Sequence, residues 1–529
     1  MPRPVVNKWV VALSVTFGTL MGTIDASIVN VAMPHLQAGV GATVEEITWV
    51  ATGFAIATVL VMPLTAFLGR RFGQKRVYLI SLGVFVLGSV LCGLARSLET
   101  LVIFRVIQGM GAGALQPTEQ AILRQTFPPK EQGMAMAMFG MAVLIGPALG
   151  PTIGGYIVDH SSWPWIFYVN VPVGALGIFM VSRFVFEPAD IVAANRAATT
   201  GDRGRIDWAG IGLIAVGLAS MQFMLEEGNR HDWFESPLIV GCLVTSTFAL
   251  AAFVIRELTT THPAVNLWLF RDKVFLSGTL VGSVMFAILF SITFLLPLYM
   301  QTLLGFSALQ SGLMLMPRTL VMMVVTPFVG RIYNRVSPRF VVAIGILLFA
   351  VGALQMSHFT LETGTWQILV SLVVQGLGFS CLFVPLTTVA LSTIPRAQLS
   401  DATGINSLFR QLGGSIGLAV FATLLSRQAI VARVALAADA TLARPEVMTR
   451  LAVMRHGLSA RGLDPVAAAQ GATRILDGLI RQQSLLLSFE KLFLLAGILF
   501  LCTLPLLWFL RSERHAQRRA GIHQSPEAA

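Results

Sequence analysis

Asp25 stands in the run TFGTLMGTIDASIVNVAMP, residues 16–34, whose other members are apolar, small or uncharged. An isolated carboxylate in apolar surroundings is costly and is neutralised unless a partner meets it. Two arginines occupy comparable settings, Arg105 in LVIFRVIQGMGAG and Arg318 in LMLMPRTLVMM. A nearby cation favours the charged form of a carboxylate and burial favours the neutral one, so a change in either can load or release a proton. The chemistry open to these residues is therefore proton exchange at Asp25, with Arg105 setting its affinity. Arg318 adds positive charge that suits an anion. A fixed Asp25–Arg pair that only orients helices is the alternative reading.

The elements that hold these residues dominate the chain. Of its 529 residues 55% are hydrophobic and 12% charged, where soluble domains carry roughly a quarter. Runs of about 20 apolar residues, long enough to cross a bilayer, recur throughout. The reading is an all-α polytopic membrane protein with fourteen spans, near 9–31, 47–68, 77–95, 100–122, 134–157, 165–186, 206–226, 237–256, 275–301, 309–330, 339–357, 365–392, 404–427 and 486–510. Counting helix rise, Asp25 and Arg318 lie roughly 13 Å below one face and Arg105 roughly 8 Å. The three share a depth.

The net charge of +11 sits in short clusters between the runs, which points to lipid headgroups and not to nucleic acid. Arg70, Arg71, Lys75, Arg76, Arg124, Lys130, Arg271, Lys273 and Arg331 all fall on one side, against Arg96 and Arg230 in the short loops opposite. This asymmetry predicts that both termini are cytoplasmic. Residues 428–485 form a long loop on the outer side, expected as amphipathic helices lying on the membrane or against a partner, or more simply as a helical connector with a solvated charged face, with Asp464-Pro465 as a helix start. The four cysteines lie in apolar runs and imply no disulfides. The first run is too long for a cleavable signal peptide. With no metal-ligand pattern, no P-loop and no sizeable soluble domain, the chain is expected to be no enzyme and to need no cofactor or metal.

The chain also repeats itself. QGMGAGALQPTEQAIL (108–123) and QGLGFSCLFVPLTTVAL (375–391) open alike, and GPALG (146–150) and GGSIG (413–417) share their offset. Such duplication predicts two homologous six-helix halves with substrate handled between them. The expected division is 1–190 for the first half, 191–260 for two inserted spans, and 261–529 for the second half with its long loop.

Four motifs complete the reading. In GPALGPTIGG (146–155) the glycines at every fourth position make a flat packing face, and Pro147 and Pro151 remove backbone donors and bend the helix. LGRRFGQKR (68–76) is a short basic loop, IDASIVNVAMP (24–34) surrounds Asp25, and RVIQGMGAG (105–113) carries Arg105. Together with RIDWAGIGL (205–213) and LFVPLTTVALSTIP (382–395), they resemble the major facilitator superfamily, specifically its fourteen-helix drug:proton antiporters of the EmrB-like branch.

The resemblance implies the major facilitator fold and proton-driven export of hydrophobic or amphiphilic compounds across a bacterial inner membrane. It implies that Gly146, Pro147, Gly150, Pro151, Gly154 and Gly155 form the antiporter motif that seals against leak. Leu68, Arg71, Gly73 and Lys75 fit the cytoplasmic gate motif, whereas Ala66, Arg70 and Gln74 depart from it, Arg70 standing where the pattern has Asp. Asn334 replaces the Asp of the second copy. A periplasmic adaptor and an outer-membrane channel are the implied partners. Arg318, Asn30, Gln108 and Arg410 are candidates for the substrate cavity, whose positive charge favours weakly acidic cargo. Glu119, Glu226 and Glu227 are expected near span ends as solvated side chains. A facilitator or importer of a defined small solute on the same fold remains the competing reading.

Overall fold

The computed structural model describes residues 7–43, 45–188, 190–193, 207–260, 263–333, 335–441 and 443–509. Its helices are α1 (Lys8–Val40), α2 (Glu46–Phe72), α3 (Gln74–Leu94), α4 (Leu98–Thr126), α5 (Gln132–His160), α6 (Trp165–Phe184), α7 (Trp208–Glu227), α8 (Pro237–Thr259), α9 (Lys273–Thr302), α10 (Ala308–Ile332), α11 (Pro338–Met356), α12 (Thr365–Ala390), α13 (Leu399–Asp439), α14 (Pro445–Ser459) and α15 (Pro465–Leu501). Among the described residues 13 helices are long and apolar enough to cross a membrane. The 29-residue α5 packs among them, against α1 and α10. The chain is a multi-pass membrane protein of fourteen spans. Asn334 and the side chains of Pro147 and Pro151 lie outside the described residues.

Helical spans satisfy every backbone group internally, which a bilayer demands. The ends are set by local chemistry. Asn7 caps α1 by accepting from the Trp9 amide at 3.0 Å, and Gly41, at φ +68°, closes it. Ser97 and Thr100 form a capping box at the start of α4. Asp464 accepts from the Val466 and Ala467 amides and starts α15, as expected from Asp464-Pro465.

Helices α1–α6 pack on one another, and α9–α13 with α15 do the same. The repeat is visible in the packing. A Cβ on Gly109 or Gly113 of α4 would stand 2.5 or 2.4 Å from the Phe54 and Thr58 carbonyls of α2. On α12, Gly376 and Gly378 bring the same closeness to the Arg318 carbonyl of α10, 2.8 Å, and the Phe349 amide of α11, 2.7 Å. Missing side chains let backbones approach, and where no hydrophobic effect drives helices together such contacts decide the packing.

The two halves meet at the face where α1 begins and α2 ends, here termed the basic face. Arg70 pairs with Asp401 and Gln74 bonds Ser400, both at the start of α13. Arg124 of α4 donates to the Leu391 carbonyl at 2.5 Å and the Thr388 carbonyl at 3.4 Å, and Arg396 donates to the Gln125 carbonyl at 2.6 Å. Gly133 of α5 and Gly330 of α10 touch backbone to backbone. The protein is closed at this face.

Helix α7 touches both halves: Thr52 of α2 donates to Glu227 at 3.2 Å, and Gln222 donates to Ser415 of α13 at 2.9 Å. Helix α8 packs on α7.

In the region 428–485, expected to be helical, the helices outrun the apolar stretches: the 41-residue α13 runs on to Asp439 and the 37-residue α15 already begins at Pro465. The two extensions pack together, tied by Arg433 and Asp477 at 2.7 Å, with α14 against α15. Uninterrupted helix formers let both spans continue beyond the apolar stretch, so composition marked where the bilayer ends and not where the helix does.

The antiporter motif packs on α1. A Cβ on Gly146 would stand 2.4 Å from Thr23, and one on Gly150 would stand 2.3 Å from Ser27. Gly154 faces Ile28, while Gly155 meets nothing within 4 Å. Gly150→Val should therefore lower stability by about 1–3 kcal/mol through overpacking, and Gly155→Val should not. Thermal unfolding of the two purified variants against the parent checks this; equal melting temperatures would refute it.

Candidate functional site

Asp25 is fully buried on α1 and accepts from three donors. Arg105 Nη1 reaches Oδ2 at 2.7 Å, Gln108 Nε2 reaches Oδ1 at 2.9 Å, and Asn170 Nδ2 reaches Oδ1 at 2.8 Å. Arg105 and Gln108 stand one turn apart on α4, so both point at the same spot on α1. Asn170 comes from the start of the main segment of α6. Ser89 of α3 closes the network, accepting from Gln108 at 3.1 Å and Asn170 at 3.0 Å while donating to the Phe167 carbonyl at 3.0 Å.

Arg105 is buried as completely as its partner. It donates through Nη1 to Gln108 Oε1 at 2.7 Å and through Nε to the Val50 carbonyl at 3.1 Å. Its guanidinium lies 4.1 Å from the centre of the Phe54 ring. Taking two charges out of water costs several kcal/mol each, and this is offset only when remaining lone pairs and protons are also satisfied. Both carboxylate oxygens of Asp25 and the Nη1 and Nε groups of Arg105 find partners. Losing one carboxylate charge would leave Arg105, Gln108 and Asn170 to find other acceptors.

Among the described residues the second half has no counterpart. Arg318 is buried on α10; Nη2 donates to Thr293 of α9 at 2.9 Å, and Nε and Nη1 have no hydrogen-bond partner. Arg410 is buried on α13, donating to Ser407 at 3.2 Å. With the Gln120 amide turned to present its oxygen, that oxygen accepts from Arg410 at 2.7 and 3.1 Å. Its guanidinium lies 5.7 Å from Phe139 and 5.4 Å from Phe286. Phe286 leads on to Phe379 and Phe383. Neither arginine is in an ion pair among the described residues.

Of the residues singled out from sequence, the structure joins Asp25, Arg105 and Gln108. It keeps Arg318 apart from them, and Asn30 is exposed. Asn170 and Ser89 escaped sequence reasoning, being small polar residues of kinds common in apolar runs. Two of the three glutamates are corrected: Glu119 is fully buried within α4 and Glu227 is buried against Thr52, whereas Glu226, at the end of α7, is half-buried and accepts from Gln222 at 2.8 Å. Proximity to a run's end in sequence did not mean proximity to water, because neighbouring helices cover these positions.

At the basic loop, Gly73 has φ +86°, a conformation that favours glycine, and its α-carbon abuts the Glu187 carboxylate. Glu187 accepts from the Lys75 amide at 2.9 Å, and Lys75 Nζ donates to the Ser182 carbonyl at 2.7 Å. Gly73 and Lys75 thus bind the loop to α6 within the first half. Leu68 is half-buried and Arg71 exposed. Arg70 and Gln74, two of the three departures from the motif, cross to the other half.

A family model described as the Major Facilitator Superfamily matches residues 15–418. The chain is 31% identical over 507 residues to the fatty acid resistance protein FarB of Neisseria gonorrhoeae, covering 96% of each. It is 31% identical over 508 residues to the multidrug export protein EmrB of Escherichia coli strain K12, covering 95% of each. The Haemophilus influenzae protein of the same name is 36% identical over 407 residues, 77% of this chain and 78% of that one. Among solved structures, the human organic anion transporter MFSD10 shares the fold with a TM-score of 0.57 at 15% identity, covering 93% of this chain and 99% of that one. The proton:xylose symporter XylE does so at 0.58 and 17%, covering 80% and 90%.

Arg105→Gln should strand the Asp25 carboxylate and cost about 3–5 kcal/mol, as removing one partner of a buried pair does. The double variant Asp25→Asn/Arg105→Gln should recover most of that loss. Thermal unfolding in detergent reads both, and equal losses in the single and double variants would show the pair uncoupled.

Proposed function

The chain belongs to the Major Facilitator Superfamily, and we propose that it is a proton-driven antiporter that exports hydrophobic or amphiphilic compounds across a bacterial inner membrane. The basic face is the cytoplasmic face, with both termini on it. Residues 1–190 and 261–529 move as two halves, with 191–260 inserted between them. The observation that carries this reading is the buried Asp25 carboxylate held by Arg105, Gln108 and Asn170 beside the glycine face of α5. The names of the relatives, multidrug export and fatty acid resistance, support the export role.

Protonation of Asp25 removes the charge that three donors converge on. Those donors then relax, and α1 shifts against Gly146 and Gly150. Helix α5 in turn packs on α10 of the other half, so the shift reaches the seam at Gly133 and Gly330. A ligand moves such an equilibrium only by its differential affinity for the two states. The proton supplies that difference through the Arg105 pair.

The cargo is bound on the other half. Arg318 and Arg410 offer uncompensated positive charge, and Phe286, Phe379 and Phe383 offer an apolar wall, so the preferred substrates are weakly acidic amphiphiles. Extensions of α13 and α15, with α14, form the surface offered to a periplasmic adaptor that leads to an outer-membrane channel.

Proteoliposomes with a trapped pH-reporting dye test the coupling. Weakly acidic and cationic amphiphiles should each drive proton movement in the parent, and Asp25→Asn should abolish it without loss of folded protein. Transport without proton movement would favour a facilitator of a defined solute. Arg318→Gln should weaken export of acidic amphiphiles and spare cationic ones; equal effects on both classes would refute the anion preference.

A further inference from the structure

Glu119 takes no part in the Asp25 network, yet it is a fully buried carboxyl group in the same half. It lies on α4 fourteen residues beyond Arg105, about 21 Å nearer the basic face. Its neighbours are hydroxyls. Thr16 Oγ1 is 3.4 Å from Glu119 Oε1, but its single hydrogen is engaged by the Ala12 carbonyl at 2.8 Å. Thr19 lies beside the carboxyl group, and Thr19 Oγ1 and Glu119 Oε2 are both buried without a hydrogen-bond partner. The Tyr78 hydroxyl of α3 spends its hydrogen on the Val15 carbonyl and accepts from the Gly18 amide at 3.1 Å.

Tyr78 is the titratable side chain beside Glu119. Helix α1 brings Thr16 and Thr19 to it, and the charged residues of α2 and α5 lie only at their ends. The nearest cations face elsewhere: Arg124 of its own helix binds carbonyls of the α12 end, and Arg410 of α13 faces Gln120. A buried carboxyl group that no cation pairs with among the described residues, and one of whose oxygens has no hydrogen-bond partner, is completed by a hydrogen of its own. It then donates to Thr16 or Thr19. Asp25, by contrast, sits among three donors, one of them a cation. Two carboxyl groups in such unlike surroundings mark a division of labour.

We propose that Glu119 is a second proton-carrying group of the transport cycle, loaded when the basic face is closed and emptied to that face when it opens. This rests on the antiport reading above. The same two turns of α4 carry Gln120, Arg124 and Gln125, which are bound to the other half. Parting the halves at the basic face frees these turns and admits water beside Thr16. The carboxyl O–H bond then breaks, the proton passes to water, and the electron pair stays on the carboxylate.

The test is the proton-to-substrate ratio, read in proteoliposomes as the pH gradient that just balances a fixed substrate gradient. Glu119→Gln keeps the shape and hydrogen-bonding of the neutral acid. It should still exchange substrate, but with the ratio lowered by about one proton, and Glu119→Asp should restore the ratio at a shifted pH optimum. An unchanged ratio in Glu119→Gln would make Glu119 a purely structural acid and overturn the proposal. A parent that moves no protons with substrate would overturn the antiport reading itself and this proposal with it. On unmutated protein, an apolar carbodiimide, which adds to protonated carboxyl groups, should modify Glu119 in the substrate-free state; peptide mapping that finds Glu119 unmodified while other buried acids react would also refute it.

Discussion

The structure turns on one buried ion pair. Asp25 and Arg105 lie where neither charge has water, so each depends on protein groups placed to within a few tenths of an ångström. Those groups come from four helices, α1, α3, α4 and α6, and from the Val50 carbonyl of α2. The helices must therefore stand at fixed separations. The glycines of α4 that let α2 and α3 approach, and those of α5 that seat Thr23 and Ser27 of α1, are the residues that fix them. Packing here serves electrostatics: where burial drives no association, close backbone contact is what holds a charge network in register.

Duplication makes the difference between the halves informative. Gln375 occupies on α12 the place that Gln108 holds on α4, and its neighbouring glycines pack in the same way. Yet Gln375 meets the Met356 sulfur at 3.3 Å and its carbonyl oxygen has no partner. No acid stands opposite it. The scaffold is shared and the chemistry is not: one half contains paired opposite charges, the other buried cations without a counter-charge. On the proposed function, this assigns the proton to one half and the cargo's charge to the other. The two then compete through the seam, with no need for a shared site.

Much of this was legible in the sequence, for identifiable reasons. Charges are rare in apolar runs, so Asp25, Arg105 and Arg318 announced themselves, and helix counting placed Asp25 and Arg105 at one depth. The periodic glycines announced a packing face. Lateral neighbours are a different matter, because depth along a helix says nothing about which helix stands beside it. Asn170 and Ser89 therefore stayed hidden, and Arg318, at a matching depth, meets Thr293 and no acid. Glu119 was misjudged because Thr, Gln and Pro around it resemble the end of a run, whereas the helix continues to Thr126 with its polar face turned into protein. The ends of α13 and α15 were missed for the converse reason, since helices do not stop where hydrophobicity does.

The contacts that close the basic face show how a modest signal can move so large a chain. They include two ion pairs, Arg70 with Asp401 and the exposed Arg396 with Asp190 at 3.5 Å, and hydrogen bonds from Gln74, Arg124 and Arg396, several of them to carbonyl groups at the ends of helices. Hydrogen bonds of this kind contribute about 1 kcal/mol each, somewhat more when charged. Exposed ion pairs contribute about as little. The closure is thus worth a few kcal/mol in total, the scale on which two conformations can exchange. Neutralising a buried carboxylate beside an arginine changes local energy by a comparable amount. The gate residues that depart from the motif fit the same logic. Arg70 stands where the motif has a carboxylate, and Asp401 supplies one from the opposite half, so the sign of the link has changed sides.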